Sequence, residues 1–193
     1  MSSESASSPA PLIRQARPED AGLLLALFRE LAEYERLEHE LRATEELISE
    51  SLFGELAVYE QIEHELKATP ELLARALFAE RPVAEALIAM RGGDAAGYAI
   101  YFTTFSSFRC REGVWLEDLF VRPAHRRAGV GRALLAAVAA SVRARGGARL
   151  EWSALDWNEL ALSFYRGLGA RTMGEWVTHR LDGEALERLA SES

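Results

Sequence analysis

Residues 115–135, reading WLEDLFVRPAHRRAGVGRALL, constrain the fold more tightly than any other stretch of the chain. Aromatic and branched side chains around Glu117 and Asp118 predict a strand over 114–121, and Arg122-Pro123 stops it. A short loop carrying Arg126, Gly129 and Gly131 then feeds an apolar helix over about 132–145. Strand, glycine-bearing turn and helix together make an anion cradle. Glycine lets the backbone come close to a ligand, and the first free N–H groups of the helix point at whatever sits there.

Spacing excludes two common nucleotide cradles. A Walker loop ends in Gly-Lys-Ser/Thr at the helix start, but the single lysine of the chain, Lys67, lies elsewhere. The dinucleotide fingerprint needs a third small residue three positions after Gly131, where Leu134 stands. What remains is an Arg-x-x-Gly-x-Gly loop from Arg126 to Gly131.

Charge agrees with a compact polyanion as the ligand of this loop. The net charge is −8, yet residues 122–150 carry seven arginines and no acid, whereas residues 1–90 hold 18 acidic and 8 basic side chains. The acidic total disfavours nucleic acid as a partner, and a basic patch confined to the loop and its helix suits phosphates. No apolar run reaches membrane-spanning length, so no membrane partner is expected. Four scattered histidines and one cysteine, Cys110, give no metal-ligand spacing. The single cysteine also fits a reducing cytoplasm. The Ser-, Ala- and Pro-rich start, residues 1–11, reads as a disordered tail, and 12–193 as a single domain.

In chain order, residues 12–16 alternate as a first strand, and Asp20 is placed to cap a helix bearing Leu23, Leu24, Leu27, Phe28 and Leu31. Residues 31–55 and 56–80 are then copies of one another, identical at 15 of 25 positions. Each copy reads as a helix, a Thr cap (Thr44, Thr69) and a second helix, with Pro70 at a first helical position. One copy is expected to occupy the place in the fold and the other to be displaced from it. Strands are predicted over 84–90 and 96–105 around a Gly92-Gly93-Asp94 turn, then over 114–121, 149–154 and 175–181. Helices are expected over 158–168 and after Gly183. The order predicts an α/β fold: a mixed, mostly antiparallel sheet flanked by helices, with one parallel crossover.

Three segments in this order carry a resemblance: Leu116 to Val121, Arg126 to Gly131, and Trp157-Asn158-Glu159 with Phe164-Tyr165-Arg166 and Leu168-Gly169-Ala170. They resemble the GNAT superfamily of N-acetyltransferases, in the branch of the spermidine/spermine and thialysine acetyltransferases. The resemblance implies acetyl-CoA as co-substrate, a small aliphatic amine as acceptor, no metal, and a homodimer. It implies that the backbone of Leu119, Phe120 and Val121 takes the pantetheine arm. The pyrophosphate would lie on Arg126, Arg127, Ala128, Gly129, Val130, Gly131 and Arg132, with Asn158 also at the cofactor. Tyr165 would be the general acid and Glu117 the base, acting through a water. Tyr34-Glu35 or its copy Tyr59-Glu60 would line the acceptor side with Asp118, Glu151 and Trp176. The chain departs from the pattern at Leu160, where the family often has proline, and in a shortened segment before Trp176.

Alternation sends successive strand residues to opposite sides. Glu117 and Asp118 can therefore share a cleft only if the strand bulges, and Asp118 is expected to be an outer or dimer-facing carboxylate. Two rival readings stand beside the small-amine enzyme: acetylation of a protein or peptide amine, and a non-catalytic acyl-CoA-binding protein that presents the repeat to a partner.

Overall fold

A computed structural model describes residues 10–43 and 69–192. Five strands form one sheet in the order β1-β2-β3-β4-β5. β1 (Leu12–Gln15), β2 (Glu85–Arg91), β3 (Asp94–Ser106) and β4 (Arg111–Val121) run antiparallel to their neighbours, and β5 (Leu150–Glu151) is parallel to β4. The β2–β3 connection is the expected Gly92-Gly93 turn. Both glycines have positive φ, 63° and 92°, as a two-residue hairpin matched to strand twist requires.

Two helices close one face of the sheet. Helix α1 (Ala21–Ala43) and helix α2 (Pro70–Phe78) place Leu24, Leu27, Leu73 and Leu77 against Ile88, Tyr98, Ile100 and Phe120. Asp20 sits at the α1 entry as expected, but its carboxylate turns back, accepting from Arg14 at 2.6 and 2.8 Å and from the Arg17 N–H at 2.8 Å. Helix α3 (Val130–Ala144) is the parallel crossover between β4 and β5, and it buries Val130, Leu134, Leu135, Val138 and Val142. It begins two residues before the expected start, so Gly131 lies in its first turn and Gly129 is its cap.

The repeat is used in an unexpected way. Residues 31–43 of the first copy complete α1, whereas α2 belongs to the second copy. Thr69 caps α2 by accepting from the Leu72 N–H at 3.2 Å, with Pro70 at the first helical position. Thr44, Tyr59 and Glu60 fall outside the described residues, as does most of the expected N-terminal tail. The described packing therefore draws on the first half of copy one and the second half of copy two, not on one intact copy.

The chain divides into two compact units, Met1–Ser153 and Ala154–Ser193. The second contains helix α4 (Glu159–Gly167) and helix α5 (Gly183–Ala190). Two strand expectations fail, one in each unit. The strand expected over 149–154 is reduced to the two residues of β5, and residues 175–181 form no strand. Trp176 and Val177 are largely exposed. Alternation in a sequence marks a segment able to pair, but a strand exists only against a partner edge, and none pairs with this segment among the described residues.

Candidate active site

The cradle forms where the loop meets α3. Gly129 has φ 79° and caps the helix with no side-chain hydrogen bond, and Arg127 also has positive φ, 59°. A left-handed conformation costs a non-glycine residue about 1–2 kcal/mol, and such strain concentrates at ligand loops. The first bond into the helix is Ala133 N–H to the Gly129 carbonyl at 2.9 Å. The amides of residues 130–132 precede it and remain for an external acceptor. Arg127 and Arg132 are exposed beside them. This donor set fits a pyrophosphate.

Arg126 is held differently from its neighbours. Its Nε donates to the Val121 carbonyl at 3.0 Å, and its guanidinium carbon lies 4.2 Å from the centroid of the Tyr34 ring. The stacking is worth about 0.5–2 kcal/mol. Tyr34 thus packs against the loop that precedes α3. Arg122, which sequence reading passed over, clamps the same region. It donates to both Glu30 carboxylate oxygens at 2.6–3.0 Å and to the Ala95 carbonyl at 2.9 Å, joining α1 to the sheet.

The sheet opens next to the cradle. β5 pairs with β4 only at Val114 and Trp115. From Leu116 to Val121 that edge of β4 has no strand partner among the described residues, while the other edge stays paired with β3. The Phe120 side chain is buried in the core, so what Phe120 offers a ligand is backbone. Unpaired strand edges are templates for an extended chain, and a pantetheine arm with its two amides is such a chain.

A β-bulge settles the carboxylate geometry. Asp118 pairs with Ile100 and Leu116 with Tyr101, so Glu117 is an extra residue on β4. Such an insertion breaks the alternation of side chains. Asp118 consequently lies on the Ile100 face, toward α1. Glu117 accepts from the Trp115 indole Nε1 at 2.9 Å, and Trp115 pairs with Phe102 on that same face. The expectation that Asp118 is an outer or dimer-facing group is corrected: both carboxylates share one face, and Asp118 is the more buried.

Burial pushes the Asp118 carboxyl up to about 6, and the nearby negative charges of Glu117 and Glu35 add to the shift. Glu35 is exposed at the rim by α1, but desolvation raises its carboxyl too. Tyr98, which sequence reading did not single out, lies on this face two residues along β3 from Ile100 and is fully buried. Glu151 is paired with Arg149 at 2.7 Å.

In the second unit, Asn158 Oδ1 accepts from the Ala161 N–H at 3.0 Å and caps α4. The half-buried Tyr165 ring lies 5.3 Å from that of Phe164, and burial pushes its phenol up to about 12. At neutral pH it therefore holds a proton. Trp176 is mostly exposed. Among the described residues no cluster of His, Cys, Asp and Glu is arranged to hold a metal ion, and no helix is long and apolar enough to cross a membrane.

The chain is similar to known acetyltransferases. Residues 34–170 match the acetyltransferase (GNAT) family. The chain is 32% identical over 185 residues to thialysine N-epsilon-acetyltransferase of Bos taurus, covering 93% of this chain and 96% of that one. It is 40% identical over 94 residues to L-ornithine N5-acetyltransferase of Arabidopsis thaliana, covering 49% of this chain and 41% of that one. An integron cassette protein from the mobile metagenome of V. cholerae has the same fold, with a TM-score of 0.68 and 24% identity over 95% of this chain and 99% of that one.

Proposed function

The chain belongs to the GNAT acetyltransferase family, and from that premise we propose that it acetylates the primary amine of a small aliphatic acceptor: a polyamine, a diamine or a lysine-like amino acid. Acetyl-CoA is the donor. The observation that carries the proposal is the bulge at Glu117, which gathers Glu117 and Asp118 on one face near Glu35. Among the described residues, the charged groups acting on Asp118 are the acids Glu117 and Glu35, so a cationic acceptor supplies a counter-charge.

The chemistry assigns each group a task. An alkylammonium with a pKa near 10 leaves only about one molecule in a thousand as free amine at neutral pH. Glu117 removes the proton through a water. The amine nitrogen attacks the thioester carbonyl, and the resulting oxyanion is stabilised by backbone N–H groups of Leu119 to Val121, at about 3 kcal/mol per donor. The carbonyl re-forms as the C–S bond breaks, Tyr165 protonates the departing thiolate, and the second proton leaving the acylated nitrogen restores the phenol. The phenol holds its proton at neutral pH, as a general acid must. The pyrophosphate rests on the backbone from Arg126 to Arg132, and Asn158 keeps its amide nitrogen for the cofactor while its oxygen caps α4. Tyr34 and Glu35, rather than Tyr59 and Glu60, serve this site, supported by the Tyr34–Arg126 stacking and by the action of Glu35 on Asp118. The homodimer implied by the resemblance belongs to the same proposal.

Glu117→Gln is expected to lower kcat/KM for the amine by about 10²–10⁴-fold. Tyr165→Phe is expected to lower kcat while leaving the amine KM near its original value. Parental turnover in Glu117→Gln would overturn the assignment of the base.

A further inference from the structure

Tyr98 is the most buried polar side chain on the face that carries the carboxylates. Its ring is fully buried, 4.9 Å from the Phe28 ring and 6.1 Å from the Phe120 ring. These contacts from α1 and β4 pack the ring on both sides. That hydroxyl is buried with no hydrogen-bond partner of full geometry among the described residues. A buried unmade hydrogen bond costs more than an absent hydroxyl, so phenylalanine would be the cheaper residue at this position. The register explains what the hydroxyl faces. Tyr98 opposes Phe120 and Ile100 opposes Asp118, which makes Tyr98 and Asp118 diagonal neighbours on one face. Asp118 and Glu35 are the charged groups that act on the phenol, and burial and both charges raise its pKa.

We propose that Tyr98 is a positioning residue of the acceptor site: its buried hydroxyl donates to Asp118 and, with Glu35 on the other side, holds that carboxylate toward the acceptor ammonium. The proposal rests on the reading of this face as the acceptor side. Among the described residues that act on Asp118, the phenol favours its charge, whereas Glu117 and Glu35 both disfavour it. Hydrogen bonds in a free site are often long and tighten when the substrate is bound. A cation seated against Asp118 fixes its negative charge and draws the phenol proton toward it.

The test uses two variants with opposite predicted signs. A hydrogen bond to the charged form lowers a carboxyl pKa, so Tyr98→Phe raises that of Asp118. The acidic limb of the amine kcat/KM profile then moves to higher pH, by about one unit. From a starting value of about 6, that shift lowers kcat/KM about five-fold at pH 6 and leaves it nearly unchanged at pH 8. Glu35→Gln removes a repelling charge and moves the limb to lower pH. A merely structural Tyr98 would change thermal stability without moving the limb. An unmoved limb in Tyr98→Phe, or movement to lower pH, would overturn the proposal. If that variant fails to fold, an unmoved limb in Glu35→Gln overturns it instead. Carboxyl-carbon NMR titration of Asp118 in the free protein reads the same shifts with no acceptor present. Absence of turnover on any amine would therefore sink the functional reading while leaving this test able to return either answer.

Discussion

Gly97→Ala probes the close contact between β3 and β4 on which the cofactor side depends. A Cβ built at Gly97 would lie 2.3 Å from the Phe120 carbonyl oxygen and 3.1 Å from the Val121 Cα. Ordinary contact begins near 3.5 Å, so the β4 backbone must retreat by about 1 Å. Neither atom belongs to a flexible side chain that could turn aside, and Gly97 is itself paired with Val121. Overpacking of this kind costs about 1–3 kcal/mol, and one weakened ladder bond adds about 1 kcal/mol. The sum, about 2–4 kcal/mol, lowers Tm by roughly 4–16 °C in a chain of this size. Urea unfolding should show a lower midpoint at an unchanged m-value. The KM for acetyl-CoA should rise in parallel, because the displaced Phe120–Val121 backbone is the segment proposed to hold the pantetheine arm. Gly22→Ala is the internal control. A Cβ there meets nothing within 4 Å, and Gly22 lies in α1, so this variant should gain about 0.4–1 kcal/mol. Equal stability of Gly97→Ala and the parent would refute the reasoning.

The repeat and the cradle give two further expectations. Deleting residues 44–68 joins Ala43 to Thr69 and restores the single-copy sequence; folding and amine turnover should survive, as circular dichroism and thiol release would report, and loss of either would give that segment a role. Gly129→Ala meets no steric obstacle but must adopt φ 79°, costing about 1–2 kcal/mol, so it should raise the KM for acetyl-CoA with little effect on the amine KM.

How much of this was legible in the sequence depended on how local the determinant is. The Gly92-Gly93 turn, the Thr69 cap with Pro70, and the loop before α3 were all readable, because each rests on the conformational limits of a few adjacent residues. The bulge was not. It is a relation between β3 and β4, and nothing in the residues around Glu117 states that Ile100 and Tyr101 pair on either side of it. The face on which Asp118 lies differs from the expected one for that reason. Tyr98 was hidden in an apolar strand run where a tyrosine reads as core; only the unpaired hydroxyl distinguishes it. The strand expected over 175–181 shows the converse, an alternating segment that pairs with no strand among the described residues. The repeat is plain as sequence, but copies identical at 15 of 25 positions carry much the same local information; the placing of the described parts rests on tertiary contacts of Leu31 in copy one and of Leu73 and Leu77 in copy two.

The central claim is that this face of β4 presents a small aliphatic amine to acetyl-CoA. Its most direct test is the release of CoA thiol from acetyl-CoA over a panel of spermidine, putrescine, lysine, thialysine and a short lysine-containing peptide. The account predicts turnover on at least one of the small amines, well above the peptide. Binding of acetyl-CoA with no thiol release on any small amine, or release with the peptide alone, would contradict it.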